Sequence, residues 1–259
     1  MATYRNTNYA TNKIGGHGAG STTSQSIYDE SSTAKHSIGE KIELSDGRVF
    51  RYGYTAAAIN AGLLVAQDLS STALVESEGI IIASAGRFSI SAGSSAIQIT
   101  LASISENDYA GALLQITDDA GEGIQYRIKS NSDTGETTSG KVDIDLYDPL
   151  KVTLTTASDI AITGGLWYNV KAAEAADCII SGVTPIAFTA NYYGWLQTAG
   201  VALISSDGVI ALGSNCTMSD SDAGHVQLKD AETEPLVGFA TFESDDNAHV
   251  GVLLQGLCP

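Results

Sequence analysis

Tyr192-Tyr193-Gly194-Trp195-Leu196-Gln197-Thr198 opens a carboxyl-terminal stretch that runs to Leu257. It continues as Val201 to Ile204, the turn Ser205-Ser206-Asp207-Gly208, and Val209 to Leu212, a sequence that predicts a hairpin. Ala223-Gly224-His225-Val226, Leu236-Val237-Gly238-Phe239-Ala240 and Ala248-His249-Val250-Gly251-Val252-Leu253 follow. Each run is short, alternating or wholly apolar, and punctuated by Gly or Asp, which is strand grammar. The stretch predicts a small closed β structure and contains nothing that reads as a reaction centre.

The same grammar extends upstream. Lys41 to Leu44 and Arg48 to Tyr52 alternate around Ser45-Asp46-Gly47, a predicted hairpin. Strands are expected at Ile80 to Ala83, Arg87 to Ser91, Ala96 to Leu101, Ala112 to Asp118, Ile124 to Lys129, Lys141 to Leu146, Val152 to Thr155 and Ile160 to Thr163. Of these, Leu113 to Thr117 and Ile124 to Ile128 form a second hairpin about Asp118 to Gly123, whose two glycines permit a tight reversal. Thr55 to Asp68, with Ala56, Ala57, Ala58, Ile59, Leu63, Leu64 and Val65, is a candidate short helix, which Gly62 weakens. Lys171 to Asp177 is a second, shorter helical candidate. The expected fold is all-β, with short-stranded sandwich or barrel domains and little helix. The expected division is an extended arm over 1–37, a β-rich domain over 38–178, and a small β-barrel over 179–259.

Residues 1–37 are rich in Thr, Ser, Asn and Gly with scattered large apolar groups, so they cannot form a core alone. Tyr4, Tyr9, Ile14, Ile27 and Tyr28 are the side chains with which such an arm would grip another surface. With 259 residues the chain can bury a sizeable core without staples. Thirteen Lys and Arg against thirty Asp and Glu give a formal charge of −17, which repels nucleic acid and anionic membrane. No apolar run approaches the length of a membrane span, and Met1 to Asn12 lacks an apolar signal core, so synthesis and folding in the cytoplasm are expected.

Chemistry-bearing patterns are sparse. Cys178, Cys216 and Cys258 are isolated and read as free thiols. Gly15 to Ser21 lacks the strand, helix and Gly-Lys-Ser/Thr end of a phosphate loop. His17, His36, His225 and His249 are not spaced for zinc, although His225 and His249 share a local context that would suit neighbouring strands. The acidic groups are Asp118, Asp119 and Glu122; Asp143, Asp145 and Asp148; Asp220 and Asp222; and Asp245 and Asp246. Asp143 and Asp145 share one strand face and could hold a hard cation, but no calcium loop is complete and a solvated face explains them. No Gly-x-Ser-x-Gly elbow is present, and Trp167 and Trp195 are the only tryptophans. No catalytic residue, cofactor or metal ligand is expected.

Glu106-Asn107-Asp108-Tyr109-Ala110-Gly111, Gly121 to Ile128, Asp148-Pro149-Leu150 and above all Tyr193-Gly194-Trp195-Leu196-Gln197-Thr198 with Gly200-Val201-Ala202 resemble a family of structural proteins from tailed bacteriophages. The resemblance covers about residues 75 to 257, and the Gly-Trp-Leu-Gln-Thr run is its most specific piece. The carboxyl-terminal grammar is similar to the small β fold of lambda-type head decoration proteins, although this chain is much longer. The resemblance implies a non-enzymatic protein on the outer surface of a virion, a homo-oligomer, expected to be a trimer, whose arm pairs with the major capsid protein. It also implies that Tyr193 and Trp195 are packing anchors and that Gly194 and Gly200 are backbone-permissive positions. The rival readings are a tail, fibre or filament subunit, and a carbohydrate-binding module.

Overall fold

The computed structural model describes residues 25–67, 74–75, 81–82, 88–100, 104–133, 141–163, 165–174 and 179–255. It is all-β: among the described residues there is no helix, and eighteen strands, numbered here in chain order, form three antiparallel sheets. The chain divides into two compact units, Met1–Ala66 with Val170–Pro259, and Gln67–Asn169.

The discontinuous unit is built on a sheet of six strands. Their order is β1 (Lys41–Glu43), β2 (Val49–Thr55), β13 (Tyr192–Ala199), β12 (Ile180–Val183), β3 (Leu64–Gln67) and β11 (Val170–Ala172). The hairpin expected at 41–52 forms, with Lys41 opposite Arg51 and Glu43 opposite Val49. β2 then pairs along its whole length with β13, from Thr55 opposite Tyr192 to Val49 opposite Ala199. That pairing overturns the expected division at 178/179, because it joins residues 38–66 to the carboxyl-terminal strands rather than to 67–169.

The second sheet of this unit has the order β14 (Val201–Ser205), β18 (His249–Leu254), β17 (Gly238–Ala240), β15 (Asn215–Met218) and β16 (Val226–Leu228). A parallel bridge between Ser206 and Val226 carries the end of β14 back to β16 and closes the circuit. The predicted hairpin between Val201–Ile204 and Val209–Leu212 does not form. β14 pairs instead with β18, and residues 209–212 lie in a loop whose Ile210 bridges Ser244. The inward side chains Ala202, Ile204, Val250 and Val252 share one core with Leu64, Ala66, Ile180 and Val183 of the six-stranded sheet.

Unit Gln67–Asn169 holds a seven-stranded sheet, in the order β4 (Leu74–Val75), β10 (Ile160–Thr163), β7 (Leu113–Ile116), β8 (Gln125–Asn131), β9 (Lys141–Leu146), β6 (Ala96–Thr100) and β5 (Ile81–Ile82). The second expected hairpin is present, with Leu113 opposite Arg127. β9 alternates half-buried and buried side chains, so that Val142, Ile144 and Leu146 enter a core with Ile97, Leu114, Ile128 and Ile160.

Four further sequence expectations, two helices and two strands, fail. The described part of 55–68 is not helical: Thr55 ends β2, Ile59 bridges Phe188, and Leu64 to Ala66 pair with β12. All four side chains of β3 are buried, and no single helix face could achieve that. The described part of 171–177 begins as β11 rather than a helix. Residues 88–91 and 152–155 are irregular segments rather than strands.

Cys216 is fully buried in the closed sheet and its thiol pKa is pushed up to about 11 by burial. Cys178 and Cys258 lie outside the described residues. With both replaced by Ser, alkylation of Cys216 by iodoacetamide at pH 8 is expected to run at least about a hundredfold slower in the native protein than in denaturant, since the thiolate is the reactive form.

Candidate functional site

The most specific piece of the resemblance, Gly194 to Thr198, lies in β13. Trp195 is 1% exposed and clusters with Phe50 and Tyr52 of β2, with Ile27 and Tyr193 packed alongside. Tyr52 and Trp195 meet edge to face at 5.0 Å between ring centroids, a favoured aromatic arrangement. The His36 ring closes the cluster at 5.1 Å from Tyr52 and 4.9 Å from Trp195, and its Nδ1 lies 3.1 Å from Glu40 Oε1.

This cluster is the seat for residues 25–36. The Trp195 indole N–H donates to the Gln25 carbonyl at 3.0 Å, and the Tyr52 hydroxyl donates to Gln25 Oε1 at 2.7 Å. Gln25 Nε2 in turn donates to the Tyr193 carbonyl at 3.0 Å and to the Asp29 carbonyl at 2.7 Å. Ser31 and Tyr193 exchange both backbone hydrogen bonds, at 2.9 and 2.8 Å. The Glu30 carboxylate accepts from the Thr189 N–H at 2.6 Å and from its hydroxyl at 2.7 Å. Burial pushes the Tyr52 and Tyr193 hydroxyls above their ordinary pKa, so both are neutral donors at physiological pH. Within the stretch 1–37, residues 25–37 include a strap bonded to the body; Tyr4, Tyr9 and Ile14 lie outside the described residues. Ile27 is half-buried against the cluster, and Tyr28 is 58% exposed beside it.

Two glycines make the seat possible. At Gly194 a Cβ would lie 2.3 Å from Phe188 Cε1, so the absent side chain is the space that the Phe188 ring occupies. Gly200, between β13 and β14, has φ +81°, and a Cβ there would lie 3.0 Å from Arg48 Cα. The left-handed backbone and the close approach both demand glycine.

The remaining sequence candidates are spread over the two units. Glu106 to Gly111 forms a turn in which Asp108 Oδ2 accepts from the Ser105 N–H at 2.8 Å, and Tyr109 is buried, with its pKa raised to about 12 by desolvation. Asp143 and Asp145 do share the outer face of β9, where they accept from Gln98 Nε2 at 2.7 Å and Ser130 Oγ at 3.3 Å. Asp119 accepts from the Thr155 hydroxyl, and Asp220 accepts from Gln227 Nε2 at 3.2 Å. Among the described residues no three His, Cys, Asp or Glu side chains converge as a metal site would require. His225 and His249 are not strand neighbours: β17 and β15 separate β18 from β16 in the sheet order. His249 Nε2 instead lies 3.2 Å from Ser205 Oγ on the adjacent strand, and His225 Nδ1 lies 4.0 Å from Asp222 Oδ2. Trp195, being buried, cannot serve as a sugar-stacking platform.

Sequence reading missed Gln25 and His36, because a lone Gln in a Ser/Thr tract and a lone His carry no periodicity. It also missed the outer face of β14 and β18, where Val201, Leu203 and Leu253 are exposed; the signal was present as apolar residues on both faces of Val201–Ile204. Comparison with family models, curated proteins and solved structures finds no match to this chain.

Gly194→Ala is expected to lower unfolding stability by about 1–3 kcal/mol through overpacking against Phe188. In a double-mutant cycle by chemical denaturation, Phe188→Leu is expected to relieve part of that loss; strict additivity would contradict the contact. Asp207 is held below the ordinary aspartate pKa by hydrogen bonds from Ser219 and Ser221. Its ionised form is favoured in the folded state, so its contribution is present above the ordinary value and is lost as pH falls through the lowered one. The melting difference between wild type and Asp207→Asn is expected to be largest near neutrality and to shrink as acidification carries the solution below the ordinary aspartate pKa and through the lowered one.

Proposed function

We propose that this chain is a non-enzymatic decoration protein of a phage head, binding the outside of the major capsid protein shell as a homo-oligomer and stabilising it. The observation that carries the reading is the convergence at β13. The Tyr193-Gly194-Trp195 run that resembles virion structural proteins is also the seat that holds residues 25–31. Residues 25–31, next in sequence to the segment expected to grip a neighbouring surface, are thereby fixed on the body. Strand addition to an exposed sheet edge of the shell protein is the mode of engagement that suits such a segment.

The all-β body fits the role on physical grounds. Closure of the five-stranded sheet through Ser206 and Val226 reduces the free edge that would aggregate at high copy number. A protein that binds only assembled subunits stabilises the assembly by mass action. The charge of −17 keeps crowded copies soluble and points away from nucleic acid as the ligand.

The test uses empty shells of the phage whose genome encodes the chain. Full-length protein is expected to cosediment with the shells and to raise their melting temperature. Deletion of residues 1–24, which leaves the strap at 25–36 in place, is expected to weaken binding at least about tenfold, the effect of losing one good anchor. Polymerisation of the protein alone, without shells, would instead favour a filament subunit. Glycan binding without shell binding would favour a carbohydrate module.

A further inference from the structure

On β14, β18 and β17 the five-stranded sheet is apolar on both faces. Ala202 and Ile204 of β14 point into the core, while Val201 is 49% and Leu203 56% exposed. Val201 lies opposite Leu253 of β18, and Leu253 lies opposite Phe239 of β17, so three large apolar side chains form one row across three strands. One step along, Leu203 lies opposite Gly251. A Cβ at Gly251 would lie 2.5 Å from Phe242 Cε1, so the missing side chain lets the Phe242 ring rest on the strand. Phe242 is itself 44% exposed, Leu253 39% and Phe239 38%. Together these five side chains present on the order of 400–500 Å² of apolar surface, the size of the largest, often functional, patch on a monomer.

Charge decides what kind of surface fits. Between Val201 and Leu254 the sequence holds nine Asp and Glu and one Lys, Lys229, whose Nζ donates to the Ala231 carbonyl. The acids flank the patch: Glu243, Asp245 and Asp246 lie in the loop that leaves Phe242 for β18, and the Gly208 N–H fixes the Asp246 carboxylate at 2.9 Å. A second copy docked face to face would set like charges against one another, and an anionic membrane or nucleic acid would be repelled in the same way.

We infer that the outer face of β14, β18 and β17 is a docking surface for a protein that presents apolar side chains framed by Lys and Arg. Resting on the role proposed above, that protein is the major capsid protein, and this face is the second contact beside the amino-terminal segment. Two contacts on one rigid unit act as a bivalent clamp, in which the first engagement raises the effective concentration for the second.

The experiment places a photo-crosslinking benzoylphenylalanine at Phe242 of the full chain and irradiates it on purified empty shells. Adducts to the shell protein are expected. Leu203→Asp is expected to lower shell affinity by about tenfold or more, while Leu203→Met retains it. Leu203 is exposed, so the fold is not at stake, and an unchanged melting temperature of the free protein checks this. Raising sodium chloride from about 0.05 to 0.5 M is expected to weaken binding further, by screening the acidic rim. Adducts confined to a second copy, or full affinity in Leu203→Asp, would overturn the inference while leaving the shell-binding role standing. Failure of the wild-type chain to bind shells at all would remove both, and the two failures are thereby told apart.

Discussion

The pairing of β2 with β13 is the constraint on which the larger unit depends. It joins residues 49–55 to residues 192–199 across the whole of the intervening chain, and so defines a discontinuous body from which Gln67–Asn169 folds as a separate core. Closing so long a loop carries an entropic cost that grows only logarithmically with length. Burial of Phe50, Tyr52 and Trp195 offsets it, since aromatic side chains bury the largest apolar area per residue. The same seam then serves two ends. At Tyr193 it captures the strap through Gln25 and Ser31, and at Gly200 it turns directly into β14 of the closed sheet.

One rigid element therefore connects the two surfaces argued to meet a partner. The strap is bonded to this strand at Tyr193 and Trp195, and six residues further along the chain from Trp195 the exposed apolar row starts at Val201. The Gln25 amide is fully used, its oxygen by Tyr52 and its nitrogen by Tyr193 and Asp29, whereas the buried His36 Nε2 beside it has no partner among the described residues. Pairing of this kind is what lets a buried amide specify one arrangement. In the proposed role the acidic charge would oppose self-adhesion, and the neutral outer rows of β14, β18 and β17 would be where a second surface approaches with the least desolvation of charge.

What could be read from the sequence follows the range of the interactions. Lys141 to Leu146 and Ile160 to Thr163 are strands over the residues expected, because strict alternation against one core leaves a period of two. The hairpins at 41–52 and 113–128 were legible because their turns are local. The Ser205 to Gly208 turn was just as clear locally, yet β14 takes its partner from residues 249–253, which no turn signal encodes. Leu63 to Val65 read as helix because alanines precede them, whereas pairing with Ile180 to Val183 decides their conformation. Trp195 and Gly194 stood out by residue type, but that Gly194 exists to admit Phe188 is a fact of packing alone. The site's other half, Gln25 and His36, left no mark in the pattern.

The proposed clamp has two parts: a strand-built body that holds residues 25–36 in its seat, and a closed sheet with an apolar outer face beside an acidic loop. The most direct test is a cryo-electron microscopy reconstruction of the mature particle. The account predicts density for this chain on the outer surface of the head, with Leu203 and Phe242 facing the shell protein. Density on the tail, or a particle that lacks the chain altogether, would contradict it.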